Sequence, residues 1–347
     1  MPEVKGPASL LLEERTGRLR PRAVWRMLLQ YLGFRVLIAL LVNLLAVASL
    51  LLLSGGRAFS SGAVDTSLLS DSPLVPLISA AASLSAALLS VWLAGRLLDR
   101  RPFADFGFHI NVRWWLDLLF GLLLGATLMT VIFLTELALG WISITATFES
   151  VYAGTPFAQA VLVPVVVFTG VGVYEELIFR GYQLRNAAEG LNYPMLGAKN
   201  AVLLAWALSS IFFGWLHSGN PNFPAIGLLN ITVAGLMLGL GYVLTGELAI
   251  PIGLHITWNF FQGAVYGFPV SGLDTIGASF LTVKQSGPVL LTGGAFGPEA
   301  GLIGLSAMAL GGLLIVLWIK LRHGGVELHT PLAEPSESGR PSAPGPE

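Results

Sequence analysis

The chain has 347 residues, of which 54% are hydrophobic and 11% charged, with a formal net charge of −1 and no cysteine. Soluble domains carry about 25% charged residues, so this composition excludes an ordinary soluble domain, and the near-neutral balance excludes a nucleic-acid footprint. The missing cysteines exclude disulfides, thiolate metal sites and a cysteine nucleophile.

Residues 1–30 interleave Arg15, Arg18, Arg20, Arg22 and Arg26 with Trp25, Met27, Leu28 and Leu29. That pattern predicts a cytoplasmic basic segment, a helix lying on an anionic membrane surface. The first long apolar stretch starts too late for a cleavable signal and reads as a retained span. A span needs about 20 apolar residues, and eight stretches qualify, at roughly 34–54, 74–98, 116–140, 156–176, 200–217, 224–245, 248–268 and 301–320. Asp117 and Glu136, near the ends of the third, suit structural or interfacial roles. The expected fold is all-α, a polytopic membrane helix bundle with negligible strand, because open sheets cannot satisfy their backbone in lipid. The membrane domain covers residues 31–323.

The loops alternate in charge. Arg96, Arg100, Arg101 and Arg113 follow span two; Arg180, Arg185 and Lys199 follow span four; Lys320 and Arg322 follow span eight. The other loops carry mainly Asp65, Asp71, Glu149, Asp274 and Glu299, against Arg57 and Lys284. The positive-inside rule places both termini and the basic loops in the cytoplasm. Residues 269–300 form a Gly-rich external loop containing Thr292-Gly293-Gly294-Ala295-Phe296-Gly297-Pro298-Glu299, and the Pro-, Gly- and Ser-rich residues 324–347 predict a disordered cytoplasmic tail.

Three polar motifs interrupt the apolar spans. The first is Glu175-Glu176 with Arg180, after a run from Thr155 to Tyr174 that carries no charge. Carboxylates at membrane depth cost a few kcal/mol each on insertion scales. Arg180 lies four residues after Glu176, on the same helical face, which leaves Glu175 without a local partner. The alternative is an interfacial cluster that fixes helix position. The second motif is Phe213-Gly214-Trp215-Leu216-His217, whose histidine could equally be an interfacial anchor. The third is His255-Ile256-Thr257-Trp258-Asn259, whose two polar residues share a face and could equally serve a packing hydrogen bond between spans. Together they supply the side chains of water-mediated peptide hydrolysis: a carboxylate to deprotonate water, with histidine and asparagine to stabilise an oxyanion. The zinc helix His-Glu-x-x-His and the Gly-x-Ser-Gly and Gly-x-Gly-Asp motifs are absent.

The order Glu-Glu-x-x-x-Arg, Phe-x-x-x-His, His-x-x-x-Asn resembles the CAAX protease and bacteriocin-processing (CPBP, or Abi) family of intramembrane proteases, which includes the type II CAAX prenyl endopeptidases. The resemblance covers about residues 155–268. It implies that Glu175 and His217 activate the attacking water, that His255 and Asn259 form the oxyanion hole, that Glu176 and Arg180 orient them, and that Phe213 packs behind His217. It leaves the metal open. In a zinc-dependent version Glu175, His217 and His255 would be the ligands; without a His-Glu-x-x-His pair, a metal-independent enzyme with no cofactor is the expectation. The expected partners are membrane lipid and a membrane-associated peptide or protein substrate. The expected location is the plasma membrane of a prokaryote, as an integral multi-pass protein. A non-catalytic binding, immunity or scaffold protein, or a transporter, are competing classes.

One constraint follows from depth. Counted at 1.5 Å per residue, Glu175 lies roughly 28 Å along span four, near the cytoplasmic face, whereas His217 closes span five near the outer face. For the two to share a water, helix four must kink near Pro164 or continue past Arg180. The Gly219-Asn220-Pro221-Asn222 turn must also dip into the bundle.

Overall fold

The computed structural model describes residues 12–15, 18–54, 69, 72–274 and 277–335. Strands β1 (Leu12–Arg15) and β2 (Arg18–Pro21) form an antiparallel hairpin. The principal helices follow as α1 (Ala23–Ser54), α2 (Leu74–Ala94), α3 (Val112–Ala138), α4 (Leu162–Glu176), α5 (Gly197–Leu216), α6 (Gly227–Thr245), α7 (Ala249–Asn259) and α8 (Leu302–His323). Strand β3 (Ile142–Ser150) lies between α3 and α4, and β4 (Ala278–Gln285) between α7 and α8. Among the described residues, seven helices are long and apolar enough to cross a membrane. The remaining predicted span, 248–268, is shorter: the 11 residues of α7 continue as a six-residue π-helix, Phe260–Val265.

The helices form as their sequences dictate. On α1 the exposed residues Val36, Leu40, Leu44 and Val47 recur at helical spacing, an apolar stripe suited to lipid. On α2 the buried face is built of small residues, Ala80, Ala86, Ala87, Ser90 and Ala94, which lets α1 and α4 approach closely. Asn111 caps α3 by accepting from the Trp114 backbone N–H at 3.0 Å. The tightest crossing is α3 on α7. A Cβ on Gly121 would strike the Ile250 carbonyl, and one on Gly253 would strike the Leu118 carbonyl. Helix α8 closes the bundle against α3 and α6: Trp318 stacks on Phe120 at 4.5 Å and donates to Asp117 at 2.8 Å.

Three expectations need correction. Strand content is small but present: β3 and β4 pair antiparallel with a bulge between Ile144 and Ala146. The ribbon lies outside the spans, where the demand for internally satisfied backbone does not apply. Residues 1–30 do not form a surface helix in their described part, which is the hairpin and the start of α1. Arg20 pairs with Glu189, Arg26 with Asp99 at 2.6 Å and with Glu189 at 3.2 Å, and Arg101 with Glu189 at 2.8 Å. Buried carboxylates far along the chain thus draw these arginines off the surface. Residues 324–335 of the tail also pack: His329 N–H donates to the Val243 carbonyl at 2.8 Å, Asn192 Nδ2 to that of Ala333 at 3.0 Å, and Leu332 is buried. Residues 336–347 lie outside the described residues.

The α3–α7 crossing positions the third motif, so its closeness is testable. Gly253→Val should destabilise the purified protein by about 1–3 kcal/mol, read as a lowered unfolding temperature. Gly33→Val, where nothing lies within 4 Å, should leave that temperature unchanged.

Candidate active site

Helix α4 does not end at the glutamate pair. It runs on as a π-helix, Leu177–Leu184, and then as an α-helix, Arg185–Leu191. The whole segment from Phe157 to Leu191 is 35 residues long, so Glu175 lies in its middle. Pro164 falls in the first turn of α4, three residues after the helix is interrupted at Val161, which separates a short helix, Phe157–Ala160, from α4. Continuation past Arg180 therefore removes the conflict in depth. π-Turns are frequent at functional sites; this one begins immediately after Glu176.

Arg180 is 1% exposed and Glu176 is wholly buried, and their side chains pair at 2.9 Å. The guanidinium also donates to the Gly235 carbonyl at 3.2 Å and stands 4.5 Å above the Phe213 ring. The same Glu176 oxygen meets His255 Nδ1 at 2.7 Å. A carboxylate there assigns the Nδ1 proton to the histidine and aims Nε2 the other way. Nε2 points toward Glu175, 3.9 Å from Oε2. Glu175 Oε1 accepts from the Tyr174 hydroxyl at 3.2 Å, while its Oε2 has no hydrogen-bond partner among the described residues.

His217 sits in the 3₁₀ turn that ends α5, with Nδ1 2.8 Å from the Phe213 carbonyl. That bond assigns its Nδ1 proton and leaves Nε2 as an acceptor. Phe213 packs against His217 at 4.6 Å and edge-on to His255 at 6.3 Å between ring centroids. Phe213, His217, His255 and Asn259 line one cavity of about 50 Å³, room for a few water molecules. Its other walls are mainly apolar, including Leu254, Trp258 and Met308. Glu175 does not line this cavity and approaches it through His255. The Gly219–Asn222 turn is tied to the loop after α7, with Asn220 Nδ2 donating to the Ser271 carbonyl at 3.0 Å.

Residues 157–261 match the model of one family, Rce1-like, described as type II CAAX prenyl endopeptidase Rce1-like. The match bears out the resemblance read from the three motifs, all of which fall inside it, and supports a membrane-embedded protease of the CAAX type in general. No curated protein and no solved structure gives a significant match.

Among the described residues, no group of three or more histidine, aspartate or glutamate side chains is placed to hold an ion. His255 Nδ1 is engaged by Glu176, which leaves Nε2 as its available ring nitrogen.

Sequence reasoning missed two features. One is the contact between Glu176 and His255, which are 79 residues apart. The other is Glu299, from the loop between α7 and α8, which is 4% exposed and lines the cavity with Ser271. Burial pushes its carboxyl up to about 7. The available signal was a lone acid at the end of the Gly-rich Thr292–Glu299 run.

The cluster predicts unequal consequences for the adjacent glutamates. Glu176→Ala strands a buried guanidinium and should destabilise by about 3–5 kcal/mol. Glu175→Ala breaks one hydrogen bond from Tyr174 and should cost about 0.5–1.5 kcal/mol. Unfolding midpoints of the two variants in one detergent check the order.

Proposed function

We propose that this chain is an intramembrane endopeptidase that hydrolyses a peptide bond in a membrane-associated peptide or protein, using a glutamate-activated water. One observation carries the reading: the buried contacts Arg180–Glu176–His255 set His255 in a cavity also lined by His217 and Asn259, with Glu175 beside that cavity, 3.9 Å from His255 Nε2.

Each group has a role that fits its surroundings. Glu175 keeps one oxygen without a hydrogen-bond partner among the described residues and serves as the base that takes a proton from water. His217, with Nε2 as acceptor, orients and shares that water. Attack on the scissile carbonyl places negative charge on its oxygen. Asn259 Nδ2 donates to that oxyanion, and so does His255 Nε2 when the ring carries its second proton. Glu176 holds the His255 ring and Arg180 holds Glu176, so these two position rather than react. Phe213 fixes both imidazoles from behind. The proton taken by Glu175 returns to the leaving amine, and the carboxylate is regenerated.

No step requires a metal in this scheme, and the enzyme works at a membrane-embedded site reached by lipid-associated substrates. Orientation follows from charge. The cavity-lining residues Ser271 and Glu299 belong to the loop between α7 and α8, on the opposite side from the basic loops, which the positive-inside rule keeps in the cytoplasm.

Two measurements test the proposal. Glu175→Gln should lower cleavage by at least about a hundredfold while leaving the unfolding temperature close to that of the wild type. Substrates are found by comparing the peptides released in membranes containing either protein. Equal release would instead indicate a binding or scaffold protein. Activity of the detergent-purified enzyme should survive exhaustive chelation; complete loss that zinc alone restores would replace the glutamate mechanism with a zinc-dependent one.

A further inference from the structure

Outside the three motifs, a buried carboxylate, Glu299, faces the cavity. Glu299 follows Gly297, where an added Cβ would collide with the Pro269 carbonyl and with the Glu299 and Gln262 side chains. The glycine at that position thus admits the carboxylate. Its two oxygens are held from different segments. Oε1 accepts from the Ser271 backbone N–H at 2.6 Å, and Oε2 accepts from Gln262 Nε2. Ser271 has φ of 50°, in the left-handed region that non-glycine residues rarely occupy, and this conformation accompanies an N–H aimed at Glu299. Gln262 is wholly buried and lies three residues beyond Asn259, on the π-helix that continues α7. Glu299 is therefore anchored to the element that carries His255 and Asn259. Among the described residues lining the cavity it is the one acidic side chain, and no lysine or arginine lines it.

We propose that Glu299 is a specificity residue of the cavity: its carboxylate admits neutral or N–H-bearing groups of a peptide and rejects a carboxylate. A like charge brought to a desolvated carboxylate is strongly repelled, and no lysine or arginine lines the cavity to offset it. The substrate class that follows is an internal or C-terminally blocked stretch of chain. A tail whose free carboxylate must enter beside the cut bond is excluded. This rests on reading the cavity as the peptide site. It concerns which peptides bind there, not which group activates water.

The test is a binding experiment on the purified full chain in detergent. The probes are two N-acylated apolar tripeptides, identical except that one ends in an amide and the other in a free carboxylate. Affinity is followed by thermal stabilisation and by tryptophan fluorescence, since Trp258 lines the cavity. At about pH 8 the amide should bind at least about tenfold tighter than the acid. The ratio should fall toward one by about pH 5.5, as carboxyl groups with raised pKa take up protons. His217 and His255 face the same cavity and are present in every variant. The part of the pH dependence that disappears in Glu299→Gln is therefore Glu299's own, and Glu299→Asp should keep part of the preference.

Equal affinities in the folded wild type overturn the proposal. So does binding of neither probe, and so does a preference that persists in Glu299→Gln. Should Glu299→Gln not fold, a wild-type ratio that is flat across that pH range overturns it as well. Cleavage that persists in Glu175→Gln sinks the protease mechanism but leaves this ratio to be judged by itself.

Discussion

A guanidinium sealed inside an apolar bundle must be paired and hydrogen-bonded, and the site is organised by that requirement. Arg180 meets it with Glu176, the Gly235 carbonyl and the Phe213 ring. Losing one partner of a buried pair costs about 3–5 kcal/mol, so α4, α5 and α6 are held in register around a single charge. Glu176 then has one oxygen committed to both Arg180 and His255. That shared oxygen converts an electrostatic obligation into an orientation for the histidine ring. Glu175, the residue before it, stands 3.9 Å from His255 Nε2.

The scaffold supplies what this cluster cannot. Helix α7 reaches it because glycines on both sides of the α3–α7 crossing remove the side chains that would hold the helices apart. In lipid such close packing replaces the hydrophobic drive that assembles soluble cores. The π-helical turn after Glu176 and the one after Asn259 place irregular backbone beside the cavity, on two facing elements. The loop between α7 and α8 closes the cavity with Ser271 and Glu299. A second buried network, Arg20, Arg26 and Arg101 around Glu189, anchors the far end of the segment that carries the glutamate pair.

Legibility in the sequence followed the range of the interaction. The Glu176–Arg180 pair was readable because its partners are four residues apart on one helical face. The polar face of His255 and Asn259 was readable for the same reason. The apolar runs marked the spans, since hydrocarbon thickness sets their length. The contact of Glu176 with His255 was not readable, nor was the burial of Arg20 and Arg26, because each partner lies on a distant segment. Those arginines looked like a surface patch, which is what arginines beside tryptophan and leucine form when nothing else claims them. The β3–β4 ribbon escaped notice because the argument against strands holds only inside lipid.

Composition and local spacing alone determined that this is a many-helix membrane protein with acid, histidine and asparagine side chains concentrated between residues 175 and 259. They determined this because hydropathy and helical periodicity act over a few turns of one chain segment. Tertiary structure decided which of those side chains meet, at what depth, and that a lone glutamate from a Gly-rich loop joins them. It did so because α4 continues past its charged pair and because buried charges select partners by three-dimensional proximity, which separation along the chain does not reveal.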